Sequence, residues 1–117
     1  MVDLEITDQS NVAVATFSAP CLSDVDAISA AGAEIKRFVR DNRIDKLVFD
    51  FSRVRFFSSQ VLGLLLDVRA ELASRGGRVV ISAINPQLHR VFKITNLEQV
   101  FQFFEDKQTA VEAINTL

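Results

Sequence analysis

KLVFDFSRVRFFSSQVLGLLLDV, residues 46–68, passes from one kind of periodicity to another. Its opening, KLVFDF (46–51), is a nearly continuous apolar run with one acid near the end, which suits a central strand covered on both faces. From residue 60 the pattern changes to helical spacing. Val61, Leu65, Val68 and Leu72 fall on one stripe at 100° per residue and form the expected core face of a helix over 60–74. Ser59, Gly63, Ala70 and Ser74 share the opposite stripe, with Asp67 beside it. Leu66 flanks that outer stripe and Leu64 borders it from the other side. Two adjacent hydroxyls, Ser58 and Ser59, stand where the strand ends and the helix begins.

Working outward, strand and helix signals alternate. Residues 3–18 read as two strands joined by a turn around Asp8–Asn11, a β-hairpin. Ser23 is the expected N-cap of a first helix, with Asp24 and Asp26 in the first turn, where the helix dipole favours acids. Ile28, Ala31, Ile35, Phe38 and Val39 carry its apolar face to about Asn42. The second helix is closed by Arg75-Gly76-Gly77, and RVVISAI (78–84) follows as a buried strand. Asn85-Pro86 supplies an N-cap and a proline at the first helical position of a short helix to about Ile94. A brief strand at 100–103 and a last helix from Asp106 to about Asn115, with Ala110, Val111 and Ile114 inward, end the chain. The order is ββαβαβαβα. Strands alternating with helices imply parallel pairing through right-handed crossovers, so the class is α/β: a small, mostly parallel sheet with an N-terminal β-hairpin and helices covering it.

The 117 residues, 49% hydrophobic and 24% charged, fit one globular domain over 1–117. A net charge of −2 gives no electrostatic footprint for nucleic acid. MVDLEITDQS carries acids and no apolar stretch, so no signal peptide is expected there, and no window is apolar enough to span a membrane. The single cysteine, Cys21, excludes an internal disulfide; it reads as a small buried residue, and the cytoplasm is the expected location. The ten phenylalanines, with no Tyr or Trp, read as core, with Phe101, Phe103 and Phe104 able to leave an edge exposed.

The signals for catalysis are weak. A serine nucleophile needs a base, and the one histidine, His89, lies on the short third helix beside Arg90, where a surface or helix-end role is expected. FSSQV lacks the glycines of a nucleophile elbow. No cluster has the spacing of a zinc or calcium site, and the four glycines form no phosphate cradle. The chain is therefore expected to be no enzyme and to need no cofactor or metal.

What remains to explain is the outer face of the second helix. One serine there suffices as a cap for the first-turn amides. Gly63, however, costs about 1 kcal/mol relative to alanine and adds no packing, unless another surface has to approach the backbone beyond Ser59. A phosphate on a hydroxyl at that position places roughly two negative charges inside a contact surface. The helix end tolerates the anion, while a docked partner does not. The pattern is that of a reversible interaction switch.

These residues resemble the signature of STAS domains, the anti-sigma factor antagonist family. Asp50, Ser52, Val54, Phe56, Ser59, Leu62 and Gly63 match it position by position: an acid closing a strand, a hydroxyl-bearing turn, an aromatic, then the switch serine. NPQLHRVFKITNLEQVF (85–101) is similar to the family's late helix–loop–strand segment, and APCLS (19–23) sits where the family enters its first helix. The sequence departs from many phospho-switched members in carrying Ser58 where aspartate is frequent and Val61 where a glycine is usual. The resemblance implies an anti-anti-sigma factor of a bacterial partner-switching pathway. Its unphosphorylated form would bind an anti-sigma factor that is also a serine kinase, phosphorylation of Ser59 would release it, and a phosphatase acting on phosphoserine would reset it. ATP and magnesium would belong to the kinase. The partner surface is expected on Ser58, Ser59, Gln60, Gly63, Leu66 and Asp67. The alternatives are a non-phosphorylated STAS scaffold or adaptor module in a signalling or transporter-associated assembly and, third, a small-molecule-binding role.

Overall fold

The structure is a computed structural model that describes residues 4–9 and 11–116. Strands β1 (Leu4–Gln9) and β2 (Val12–Phe17) form the N-terminal hairpin. Asn11 takes φ +67° at its turn, the left-handed conformation that tight hairpins require and that asparagine tolerates; Asp3 and Ser10, also assigned to this hairpin, lie outside the described residues. A two-residue strand β3 (Cys21–Leu22) precedes α1 (Val25–Asp41). There follow β4 (Lys46–Asp50), a second two-residue strand β5 (Phe56–Phe57), α2 (Ser59–Ala73), β6 (Arg78–Ser82), α3 (Pro86–Ile94), β7 (Gln102–Phe104) and α4 (Lys107–Ile114).

The main sheet runs β1-β2-β4-β6-β7, antiparallel only at the β1–β2 hairpin and parallel elsewhere. Parallel neighbours demand crossovers, and α1, α2 and α3 provide them. Alternation along the strands divides the core. Ala13, Ala15, Phe17, Leu47, Phe49 and Ile81 point to the face covered by α1, α2 and α3. Val12, Val14, Val48 and Val80 point to the other face, where Ala110, Val111 and Ile114 of α4 cover them. β4 is thus apolar on both sides because both sides are covered. On the first face Phe17, Phe49, Phe51, Phe57 and Phe92 form a connected series of ring contacts with centroids 5.5–6.4 Å apart. Phe101 is buried and Phe103 and Phe104 are half-buried; the phenylalanine left exposed is Phe56.

Three expectations need correction. The N-cap of α1 is Asp24, not Ser23: its Oδ1 accepts from the amides of Asp26 and Ala27 at 3.0 and 3.2 Å. An aspartate there satisfies two free donors and complements the dipole together. Cys21 is exposed, because it faces outward from β3 while Leu22 faces in. The strand order also gains β3 and β5, which pair in parallel as a separate two-stranded sheet.

The end of α2 is set by its glycines. Gly76 takes φ +76°, and the Gly77 amide returns to the Leu72 carbonyl at 2.8 Å. A Cβ on Gly77 would meet the Asp45 carbonyl oxygen at 2.5 Å, so only glycine lets the chain pass into β6 there.

Candidate functional site at the start of the second helix

The small sheet missed in the sequence builds this site. After β4 the chain loops back, and the amides of Arg55 and Phe56 both donate to the Pro20 carbonyl, at 2.8 and 3.1 Å. Cys21 then pairs with Phe56 and Leu22 with Phe57, and the Ser58 amide donates to the Leu22 carbonyl at 2.9 Å. The segment before α1 and the segment before α2 are thereby tied together. The N-terminal ends of the two helices lie side by side as a result.

Ser58 occupies the N-cap position with extended backbone, φ −83° and ψ 168°, but its side chain makes no cap bond. Its Oγ is buried and has no hydrogen-bond partner among the described residues. One of the two serines does occupy the cap position, but the cap bond expected of it is absent: the hydroxyl has turned inward. Ser59, one residue on, begins α2 and is exposed. The two serines therefore differ in access, and only the Ser59 hydroxyl is open to another protein.

Along α2 the core stripe Val61, Leu65, Val68 and Leu72 is buried as expected. Ser59, Gln60, Gly63, Leu66, Asp67 and Ala70 face outward. A Cβ built on Gly63 finds no atom of the described residues within 4 Å, so the missing side chain serves no packing among them. Leu64 differs from expectation. It is only 8% exposed, because α1 packs against α2 there: a Cβ on Gly32 would stand 3.3 Å from the Leu64 Cγ.

Beside this stripe a groove of about 340 Å³ runs between the helices, with Val25, Ser29, Gly32 and Lys36 on the α1 side and Gln60, Gly63 and Asp67 on the α2 side. The Lys36–Asp67 pair spans it at 2.6 Å, with Arg40–Glu71 at 3.3 Å one turn further. Such exposed pairs add about 0–1 kcal/mol each, so they set register more than stability. Large apolar side chains stay in water around the site: Val25 at 54%, Phe56 at 56% and Leu66 at 37% exposure. Sequence reasoning placed Leu66 here and missed the other two. Val25 lies at the start of the α1 apolar stripe, beyond the part that the core covers. Phe56 is the outward half of an FF pair whose register only β3 defines.

His89 packs elsewhere. Its ring stacks on Phe103 at 4.4 Å, and its Nε2 lies 3.0 Å from Glu98 Oε2 without the alignment of a hydrogen bond. It joins α3 to the segment leading into β7. Among the described residues no three His, Cys, Asp or Glu side chains gather as a metal site, and no helix is long and apolar enough to cross a membrane.

The STAS domain family model matches residues 5–110, and the chain belongs to that family. Among solved structures it is similar to a STAS domain protein of Planctomyces limnophilus, an anti-sigma factor antagonist (19% identity, 96% of this chain and 97% of that one, TM-score 0.86). It is similar to an anti-sigma factor antagonist from Mycobacterium paratuberculosis (24% identity, 98% and 95%, TM-score 0.84). It is also similar to the Bacillus cell fate determinant SpoIIAA in its phosphorylated form (21% identity, 97% and 99%, TM-score 0.73). At these identities the likeness establishes the shared fold.

Proposed function

We propose that this chain is an anti-sigma factor antagonist that docks an anti-sigma factor on the outer face of α2 and is released when Ser59 is phosphorylated. The observation that carries the reading is the pairing of an exposed hydroxyl at a helix N-terminus with an open glycine one turn on, among exposed apolar side chains. Val25, Phe56 and Leu66 supply apolar contact area, Gly63 lets a partner's backbone approach, and Gln60 and Asp67 form a polar rim. A phosphoserine at 59 adds about −1.5 to −2 charges and three strong acceptors. The N-terminal end of α2 and its dipole accommodate them, so the fold survives the modification that the docked complex does not. Ser58 supports the assignment to Ser59, since a kinase must first extract its hydroxyl from the protein interior. The chain acts as a binding module in the cytoplasm. The anti-sigma factor is the serine kinase and brings ATP and magnesium, and a separate phosphatase restores the binding form.

The test is incubation with the anti-sigma factor kinase, ATP and magnesium, followed by intact-mass and phosphopeptide mass spectrometry. One phosphate on Ser59 is expected, abolished by Ser59→Ala, which leaves binding intact. Ser59→Asp weakens binding less than phosphate does, having about half the charge. A phosphate on Ser58 moves the switch by one residue. No phosphate with a kinase that binds the chain and phosphorylates another substrate leaves the adaptor reading.

A further inference from the structure

The register of the sheet assembles a polar row that the core does not need. On the face covered by α4, successive rows across the strands are valines: Val12 and Val14 of β2, Val48 of β4, Val80 of β6. At the carboxyl ends the same face turns polar. Glu5 pairs with Thr16, Thr16 with Asp50, and Asp50 with Ser82, giving one row across four strands. Asp50 is only 4% exposed and forms no ion pair with a described residue. It accepts from the Ser52 amide at 3.2 Å, the Ser52 hydroxyl at 3.3 Å and the Thr16 hydroxyl at 3.5 Å; the Ser82 hydroxyl also stands 3.5 Å away but shares its one proton with the Phe49 carbonyl at 3.4 Å. Burying a carboxylate is expensive unless a cation or several short bonds compensate, and three hydroxyl contacts at the limit of bonding distance are poor compensation. The turn after β4 takes two of these bonds, from the Ser52 amide and hydroxyl, and is closed by the Val54 amide on the Phe51 carbonyl at 3.0 Å; the contacts with Thr16 and Ser82 are not part of it.

Above Asp50 opens a pocket of about 180 Å³, with Glu5 on one wall and Arg53 and Lys107 among its lining residues. Lys107 is the first residue of α4, where the helix dipole disfavours a cation; a bound anion would remove that penalty. The pocket lies outside the carboxyl ends of parallel strands, where α/β sheets commonly hold ligands, and shares no lining residue with the α1–α2 groove.

We infer that this pocket binds a small zwitterion of amino-acid size. Its ammonium group donates to Asp50 and lies near Glu5, and its carboxylate or phosphate meets Lys107 and Arg53. The inference is independent of the partner-switching reading.

The test uses 15N-labelled protein titrated to 20 mM with glycine, γ-aminobutyrate or phosphoethanolamine, and separately with acetate or ethylammonium. At least one zwitterion is expected to shift the amides of Thr16, Ser52 and Lys107 saturably, at least fivefold more tightly than either single-charge probe. Lys107→Gln, at an exposed position, is expected to weaken that binding at least fivefold with Tm unchanged or slightly raised, since it takes a cation from the first turn of α4, and Asp50→Asn to abolish it. Should Asp50→Asn fail to fold, Arg53→Gln serves as the second variant, with the same expected loss. Absence of any saturable shift overturns the inference, as do acetate or ethylammonium binding as tightly as the zwitterions and affinity unchanged in both rim variants.

Discussion

Replacing Gly63 by glutamine separates folding from docking in one variant. The position is helical, a Cβ placed there meets no atom within 4 Å, and its backbone is not in the left-handed region. Glycine in a helix interior is about 0.8–1 kcal/mol worse than alanine, and glutamine lies about 0.4 kcal/mol below alanine. The substitution therefore gains about 0.5 kcal/mol. At roughly 4 °C per kcal/mol for a domain near this size, Tm rises by about 2 °C, and by about 4 °C for Gly63→Ala. Binding moves the other way. A glutamine side chain projecting from the middle of the α2 face keeps the partner's backbone from the helix, and a tenfold loss needs only about 1.4 kcal/mol. Differential scanning calorimetry and titration of the anti-sigma factor by isothermal calorimetry give the two readings. A Tm lowered by 2 °C or more shows that Gly63 is packed in the native protein, and the assignment of an open face fails. A Tm raised as expected with unchanged affinity leaves the fold intact and moves the partner surface elsewhere.

Ser58→Ala has the opposite sign from an ordinary N-cap truncation. Losing a bonded cap costs about 0.5–2 kcal/mol, but this hydroxyl is buried and unbonded, so its removal is expected to be neutral or to stabilise by up to about 1 kcal/mol in urea unfolding; a loss of 1 kcal/mol shows that the hydroxyl caps α2 in solution. Asp106 gives a pH signature at α4. The Thr109 amide, then the Thr109 hydroxyl, hold its carboxyl below the ordinary value of 3.8. A folded pKa below the unfolded one means a contribution that is complete above the unfolded value and lost as pH falls through the folded value. The Tm difference between the native protein and Asp106→Ala is expected to be constant from pH 7 to 5 and to shrink below about 4. A difference as large at pH 3 as at pH 7 contradicts the carboxylate cap.

The parts of the fold legible in the sequence are those that repeat a period over several turns or strand residues. The core stripe of α2, the two-sided burial of β4 and the Asn85-Pro86 start of α3 each announce themselves locally. β3 and β5 do not, because two residues carry no period and their partners stand 35 positions apart, Cys21 against Phe56. That omission explains the misreading of Cys21, whose exposure follows from the pairing. It explains the missing half of the candidate site too, since the same pairing brings Val25 and Phe56 beside Ser59. Among Ser23, Asp24 and Asp26 any residue has cap chemistry, and local sequence does not decide which one the β3 geometry places at the cap.

The two serines and the polar row differ in how far register matters. Ser59, Gly63, Leu66 and Asp67 belong to one helix, so a wheel is enough to collect them. Whether the Ser58 hydroxyl turns toward the amides or the interior depends on Leu22, which draws the Ser58 amide into the small sheet and fixes the backbone around it. Glu5, Thr16, Asp50 and Ser82 belong to four strands, and each alone reads as a common polar residue near a strand end. Only the alignment of β1, β2, β4 and β6 stacks them into a single row under α4. The Ser52 contacts of the buried Asp50 carboxylate are local, but those with Thr16 and Ser82 are a property of pairing across the sheet, with no counterpart in any local stretch. The α2 face could be read from the sequence because it is local, and the pocket over Asp50 could not because its parts meet only after the sheet has formed.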